Sequence, residues 1–175
     1  MSLQQLNGSY IETEDRLLFG FTTSANEEYR LWLTRRITGT LLAFGERTSM
    51  ALLEQKHAPP VAQAVDQFQQ EKLAASLQSA SAFAAQSKLP LGATPMLVHQ
   101  VEFLELPESD AALTAIQFLL SNQQRLTLKL HRGEFDHFRS LLLQLWKRSP
   151  WGEVPRLGNA ESEPAGGPFG PKSLH

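Results

Sequence analysis

A short pattern occurs twice in this chain and constrains its fold more than any other feature. Arg16-Leu17-Leu18-Phe19-Gly20-Phe21 is followed by a polar step and then by Glu28-Tyr29 at the head of an amphipathic stretch. Arg125-Leu126-Thr127-Leu128-Lys129-Leu130 is followed by a shorter polar step and by Glu134-Phe135 at the head of another. Each copy reads as strand, turn and helix. Side chains alternate along a strand and return to one face every three to four residues along a helix. Units of this kind build a sheet with helices packed on one face. The pattern carries architecture and no chemistry.

The rest of the chain fills in around the two copies. Residues 5–11 and 16–23 read as strands joined by the polar turn Glu12-Thr13-Glu14-Asp15. A first helix is expected over 27–54, with Leu33, Ile37, Leu41 and Phe44 on one face and Gly45 as a weak point. Pro59-Pro60 ends it, because proline lacks the donor a helix needs. Residues 61–87 are rich in Ala, Gln and Ser, with a thin apolar stripe through Val61, Val65, Phe68, Leu73, Leu77 and Phe83. They read as a second helix, exposed in part or covered by another chain. Residues 88–95, punctuated by Pro90, Gly92 and Pro95, form a linker.

Residues 96–106 read as a strand whose imperfect alternation suggests a bulge. Residues 111–120 fit a helix through Leu113, Ile116 and Leu120 and a strand through Thr114, Ile116, Phe118 and Leu120; the strand is favoured because it closes a hairpin onto 125–131 through Ser121-Asn122-Gln123-Gln124. A last helix is expected over 133–148, stopped by Ser149-Pro150. The expected fold is α+β: one domain over 1–149, in the order ββα-α-βββα. It has a largely antiparallel meander sheet of about five strands, with long helices on one face. Residues 150–175 hold five Pro and five Gly and read as a disordered tail, with Trp151 as an anchor back onto the domain.

Composition removes whole classes of function. The chain has no cysteine, which excludes disulfides, thiolate zinc sites, iron–sulfur clusters and a cysteine nucleophile. The formal charge is −2, so no bulk attraction to nucleic acid or to acidic membranes is expected. The first residues show neither a basic nor an apolar leader region, and no long apolar run occurs. The expected location is the cytoplasm. Nucleotide-binding glycine loops, His-Glu-x-x-His and Gly-x-Ser-x-Gly are absent from the sequence.

The densest basic patch is Arg30-Leu31-Trp32-Leu33-Thr34-Arg35-Arg36, placed on the first helix. On a helix, Arg30 and Arg35 lie about 140° apart, so the arginines make no single stripe. The better reading is a protein contact built on Trp32, Arg35 and Arg36, because Trp and Arg dominate interface energies. Val65, Phe68, Trp146 and Trp151 are further candidates for partner contact. His131, Glu134, Asp136 and His137 cluster at the last strand–helix junction, where the acids suit a helix N-terminus better than a metal site. Arg125, Thr127, Lys129 and His131 form a mildly basic strip on the polar face of the last strand.

The expected function is that of a non-enzymatic accessory or interaction subunit, without cofactor or metal. It would bind a protein partner or its own copy through apolar helix faces. The alternative is a single-stranded nucleic-acid binder using an open sheet face. In element order alone, hairpins followed by a helix resemble the layout of Whirly and PUR-type domains, and that resemblance implies such binding.

Overall fold

The computed structural model describes residues 3–54, 58–76, 87–104, 106 and 114–155. Six strands form one sheet in sequence order: β1 (Leu3–Ile11), β2 (Arg16–Thr23), β3 (Glu28–Leu33), β4 (Met96–Leu104), β5 (Thr114–Leu120) and β6 (Arg125–Leu130). Neighbours are antiparallel except β3 and β4, which pair parallel over Leu31–Met96 and Trp32–Leu97. The helices are α1 (Arg35–Glu54), α2 (Pro59–Ser76) and α3 (Arg132–Arg148). The α+β class stands. The sheet is mixed rather than antiparallel, and it has six strands rather than five.

The extra strand is β3. Residues 28–33, expected to open the first helix, are extended. Tyr29, Leu31 and Leu33 point into the core opposite Phe21, Phe19 and Leu17, while Arg30 and Trp32 point out. The helix begins at Arg35, with Thr34 between it and the strand. Thr34 caps it, its Oγ1 accepting from the Ile37 amide at 3.3 Å. From Ile37 onward the expected face holds, with Ile37 and Leu41 buried and Phe44 stacked on Phe103 at 3.5 Å between ring centroids. The second helix runs from Pro59 rather than Val61. Proline is tolerated in the first turn, where its missing donor would bond nothing. Residues 77–86 of the expected 61–87 helix lie outside the described residues. So do 107–113, and the tail beyond 155.

A shift of register between Val98 and Gln100 confirms the bulge in β4. It lets Val98, Val101 and Phe103 all face the core opposite Leu120, Phe118 and Ile116. The strand–turn–helix repeat does not hold as read, because β2 is followed by β3 and not by a helix. β6 corresponds to β3, not β2: Tyr29, Leu31 and Leu33 match Leu126, Leu128 and Leu130, and Arg35 and Arg132 each begin a helix. The chain is thus two βββα halves side by side in the same orientation, with α2 inserted between them.

α3 crosses the whole sheet. Its 17 residues span about 25 Å, close to five strand spacings. It leaves β6 and ends over β1, where a Cβ on Gly8 would lie 2.7 Å from Leu145 Cδ1. A side chain at position 8 would therefore displace the tip of Leu145. Trp151 follows and folds back as anticipated. It is 3% exposed, packs edge-on against Trp146 and Tyr10, and donates its indole N–H to Asp15 at 2.6 Å. That bond and one from the Tyr10 hydroxyl hold the Asp15 carboxyl below its usual range.

Candidate interaction surface

α2 presents two unlike faces. Inward, Ala62 is fully buried and Asp66 is 7% exposed. Asp66 accepts both guanidinium nitrogens of Arg139 on α3, at 2.6 and 2.7 Å, and the Ser49 hydroxyl of α1 at 2.7 Å. Burial alone would raise the Asp66 carboxyl. The hydrogen bonds from Arg139 and Ser49 outweigh it and hold the group below its ordinary value. One carboxylate thus ties three helices together. Gly45 leaves room for the arginine. A Cβ there would lie 3.2 Å from Arg139 Cδ, a tight contact from which the arginine stem would have to shift by a few tenths of an ångström.

Outward, the same helix shows Val61 at 50% and Phe68 at 68% exposure, with Val65 half-buried between them. Spacings of four and three residues place the three on one flank. Among the described residues the only other large apolar side chain so exposed is Leu104, at 37%. The stripe is therefore rigidly mounted apolar surface, fixed from behind by a buried ion pair.

The other predicted contact residues scatter. Trp32 lies on the outer face of β3, half-buried, directly between Leu18 of β2 and Leu97 of β4. Its neighbours Leu18 and Leu97 were not anticipated; the alternation of Tyr29, Leu31 and Leu33 is the signal that could have placed Trp32 on a sheet rather than a helix. Arg35 and Arg36 are exposed at the start of α1, and Arg36 donates to the His99 carbonyl at 3.0 Å. Trp146 and Trp151 are in the core, 2% and 3% exposed, and turned toward each other rather than to solvent. The sheet brings none of these together with Val65 and Phe68.

The basic strip of the last strand is largely neutralised by neighbours. Arg125 bonds Gln117 at 2.6 Å and lies 3.5 Å from Glu102, and Gln117 donates to Thr127 at 3.3 Å. The junction residues serve the helix. Glu134 accepts the His131 amide at 2.8 Å, and Asp136 pairs with Arg132 at 3.1 Å. His137 Nε2 is buried without a partner among the described residues, and burial pushes the imidazole below its usual pKa. Among the described residues no three His, Asp or Glu side chains converge as a metal would require. A cleft of about 640 Å³ between the helices is walled by Glu46, Gln63, Gln67, Glu71 and Lys147, with the Asp66–Arg139 pair also on its lining. Among the described residues no helix is long and apolar enough to cross a membrane. Comparison with protein-family models, with curated proteins and with solved structures finds no match for this chain.

Proposed function

We propose that this chain is a non-enzymatic, cytoplasmic interaction subunit that docks a protein partner through the outward stripe of α2. Phe68 carries the reading. It is a large apolar side chain, 68% exposed, on a helix whose opposite face is locked in place. Anchors at Val61, Val65 and Phe68 follow the spacing with which an amphipathic helix enters an apolar groove. Covering Phe68 would contribute about 1.5–3 kcal/mol. Pre-mounting the helix lowers the ordering cost of association.

The test is native mass spectrometry of the protein purified gently from its own host, beside Phe68→Asp. A bound polypeptide is expected with the native chain and not with the variant, while the urea midpoint of the isolated protein stays unchanged. A variant that keeps the same partner would overturn the reading.

One observation favours a second reading, a single-stranded nucleic-acid binder. Trp32 sits on the outer sheet face with Arg30 two residues before it on the same side, an aromatic where a base could stack. Against it, Arg30 is paired with Glu28 at 2.6 Å. Salt-dependent oligonucleotide binding that is lost with Trp32→Ala would support this alternative.

A further inference from the structure

The two edges of the sheet differ in a way that selects a partner. β6 carries Arg125 and Lys129 along its outer face. β1, Leu3-Gln4-Gln5-Leu6-Asn7-Gly8-Ser9-Tyr10-Ile11, holds no charge and no proline. Lysine and proline are the usual devices that keep edge strands from pairing with other chains, and β1 has neither.

Its unpaired backbone groups can be assigned by parity. The Thr23 amide donates to Glu27 O at 2.9 Å, which begins the β2–β3 ladder at Thr23. In an antiparallel pair, bonded and non-bonded positions alternate. Phe21, Phe19 and Leu17 therefore bond toward β3, and Thr22, Gly20, Leu18 and Arg16 bond toward Gln5, Asn7, Ser9 and Ile11 of β1. The amides and carbonyls of Leu6, Gly8 and Tyr10 are left facing outward, and among the described residues no loop bonds them.

We infer that two copies of the chain join edge to edge through β1, antiparallel about a two-fold axis at Gly8. Such an interface must be self-complementary, because each residue meets its symmetry mate's counterpart. β1 satisfies that condition. Gly8 meets Gly8, and Leu6 meets Tyr10 of the other copy on the core side, an aliphatic–aromatic cross-strand pair. Each outward-facing pair exchanges both N–H···O bonds. Asn7 meets Ser9 on the outer face, and no charges oppose. The same operation on β6 would set Arg125 against Lys129, so the charge pattern favours β1. The result is one continuous sheet with twice the six strands of a single chain. The contact is made by β1 and uses none of the α2 stripe residues.

Light scattering and native mass spectrometry of the full chain at micromolar concentration test this. The native protein is expected at twice the 19.5 kDa of one chain. Asn7→Lys/Ser9→Lys places lysine opposite lysine twice and is expected to weaken the dimer about tenfold. Asn7→Lys/Ser9→Glu puts opposite charges across the same pairs and is expected to restore it, which also controls for folding at both positions. A native protein that remains a single chain would overturn the inference. So would a Lys/Lys variant that dimerises as tightly as the native chain. Phe68→Asp leaves this dimer unchanged, so loss of the α2 partner and loss of the dimer are separable.

Discussion

The two βββα halves share one plan and present opposite surfaces. Trp32 and Lys129 occupy equivalent places, each on the outer face of the third strand of its half, two residues before a helix N-cap. In the first half Trp32 lies beside Leu18 and meets Leu97 of the second half across the junction, with the Arg30–Glu28 pair farther along the same face. In the second half the equivalent face is a polar network of Glu102, Gln117, Arg125 and Thr127. The free edges differ likewise: β1 is uncharged and β6 is charged. Inner faces cannot diverge in this way, because both pack against the same helices. Alternation along a strand is what lets the two faces of one sheet change independently.

The strongest way to break the relation between the halves is to cut what joins their helices. Asp66→Ala leaves the Arg139 guanidinium buried and unpaired, and is expected to cost about 4 kcal/mol in urea unfolding. Asp66→Leu with Arg139→Met, which removes both charges, is expected to cost far less. Next comes Trp151, which closes the second half onto the first strand. Trp151→Ala is expected to cost about 3 kcal/mol through lost packing on Trp146 and Tyr10 and loss of the bond to Asp15.

The helix starts compare the halves directly. Thr34→Ala is expected to cost about 1 kcal/mol and Glu134→Ala about half as much. Equal losses in thermal melts would show that the two caps are interchangeable.

The smallest expected effect is a dependence on pH. Between the lowered folded pKa of His137 and its ordinary value of 6.5, the unfolded chain binds the proton and the folded chain does not. Stability therefore falls as pH drops below 6.5, and His137→Asn is expected to flatten that slope in urea midpoints. Asp66 acts at lower pH. Its stabilisation is full above 3.8 and is lost as pH falls through its depressed folded value.

Much of this fold was legible locally. β2, β6 and α3 follow from plain alternation or from the spacing of Phe135, Phe138, Leu142 and Leu145, because each is bounded by turn residues; β5 fits both periods, and only the turn before β6 favours a strand. β3 was not. Its inward residues Tyr29, Leu31 and Leu33 run without a break into α1, and Leu33, Ile37 and Leu41 also fit a helical face. Only Thr34 marks the boundary, and a threonine inside a helical pattern is weak punctuation. Misreading β3 also put Trp32 on a helix and lost one strand of the sheet. The Asp66–Arg139 pair had no local trace at all, since 73 residues separate its partners. The stripe of Val61, Val65 and Phe68 was visible as a pattern. What sequence could not supply was the ion pair that turns that side of α2 outward.

The clasp of Trp151 on Tyr10 and Asp15 has a consequence for how the protein is made. The hairpin that begins with β1 is completed by residues synthesised much later, 136 positions on at the Trp151–Asp15 bond. At about 5–20 residues per second, that gap is on the order of ten seconds. For that time β1 exists with its core side uncovered by Leu145 and Trp151 and its uncharged edge open. Neighbouring chains on one message then hold the same unfinished strand at high local concentration. Synthesis is thus the moment when this protein is most exposed both to aggregation and to meeting its own copy.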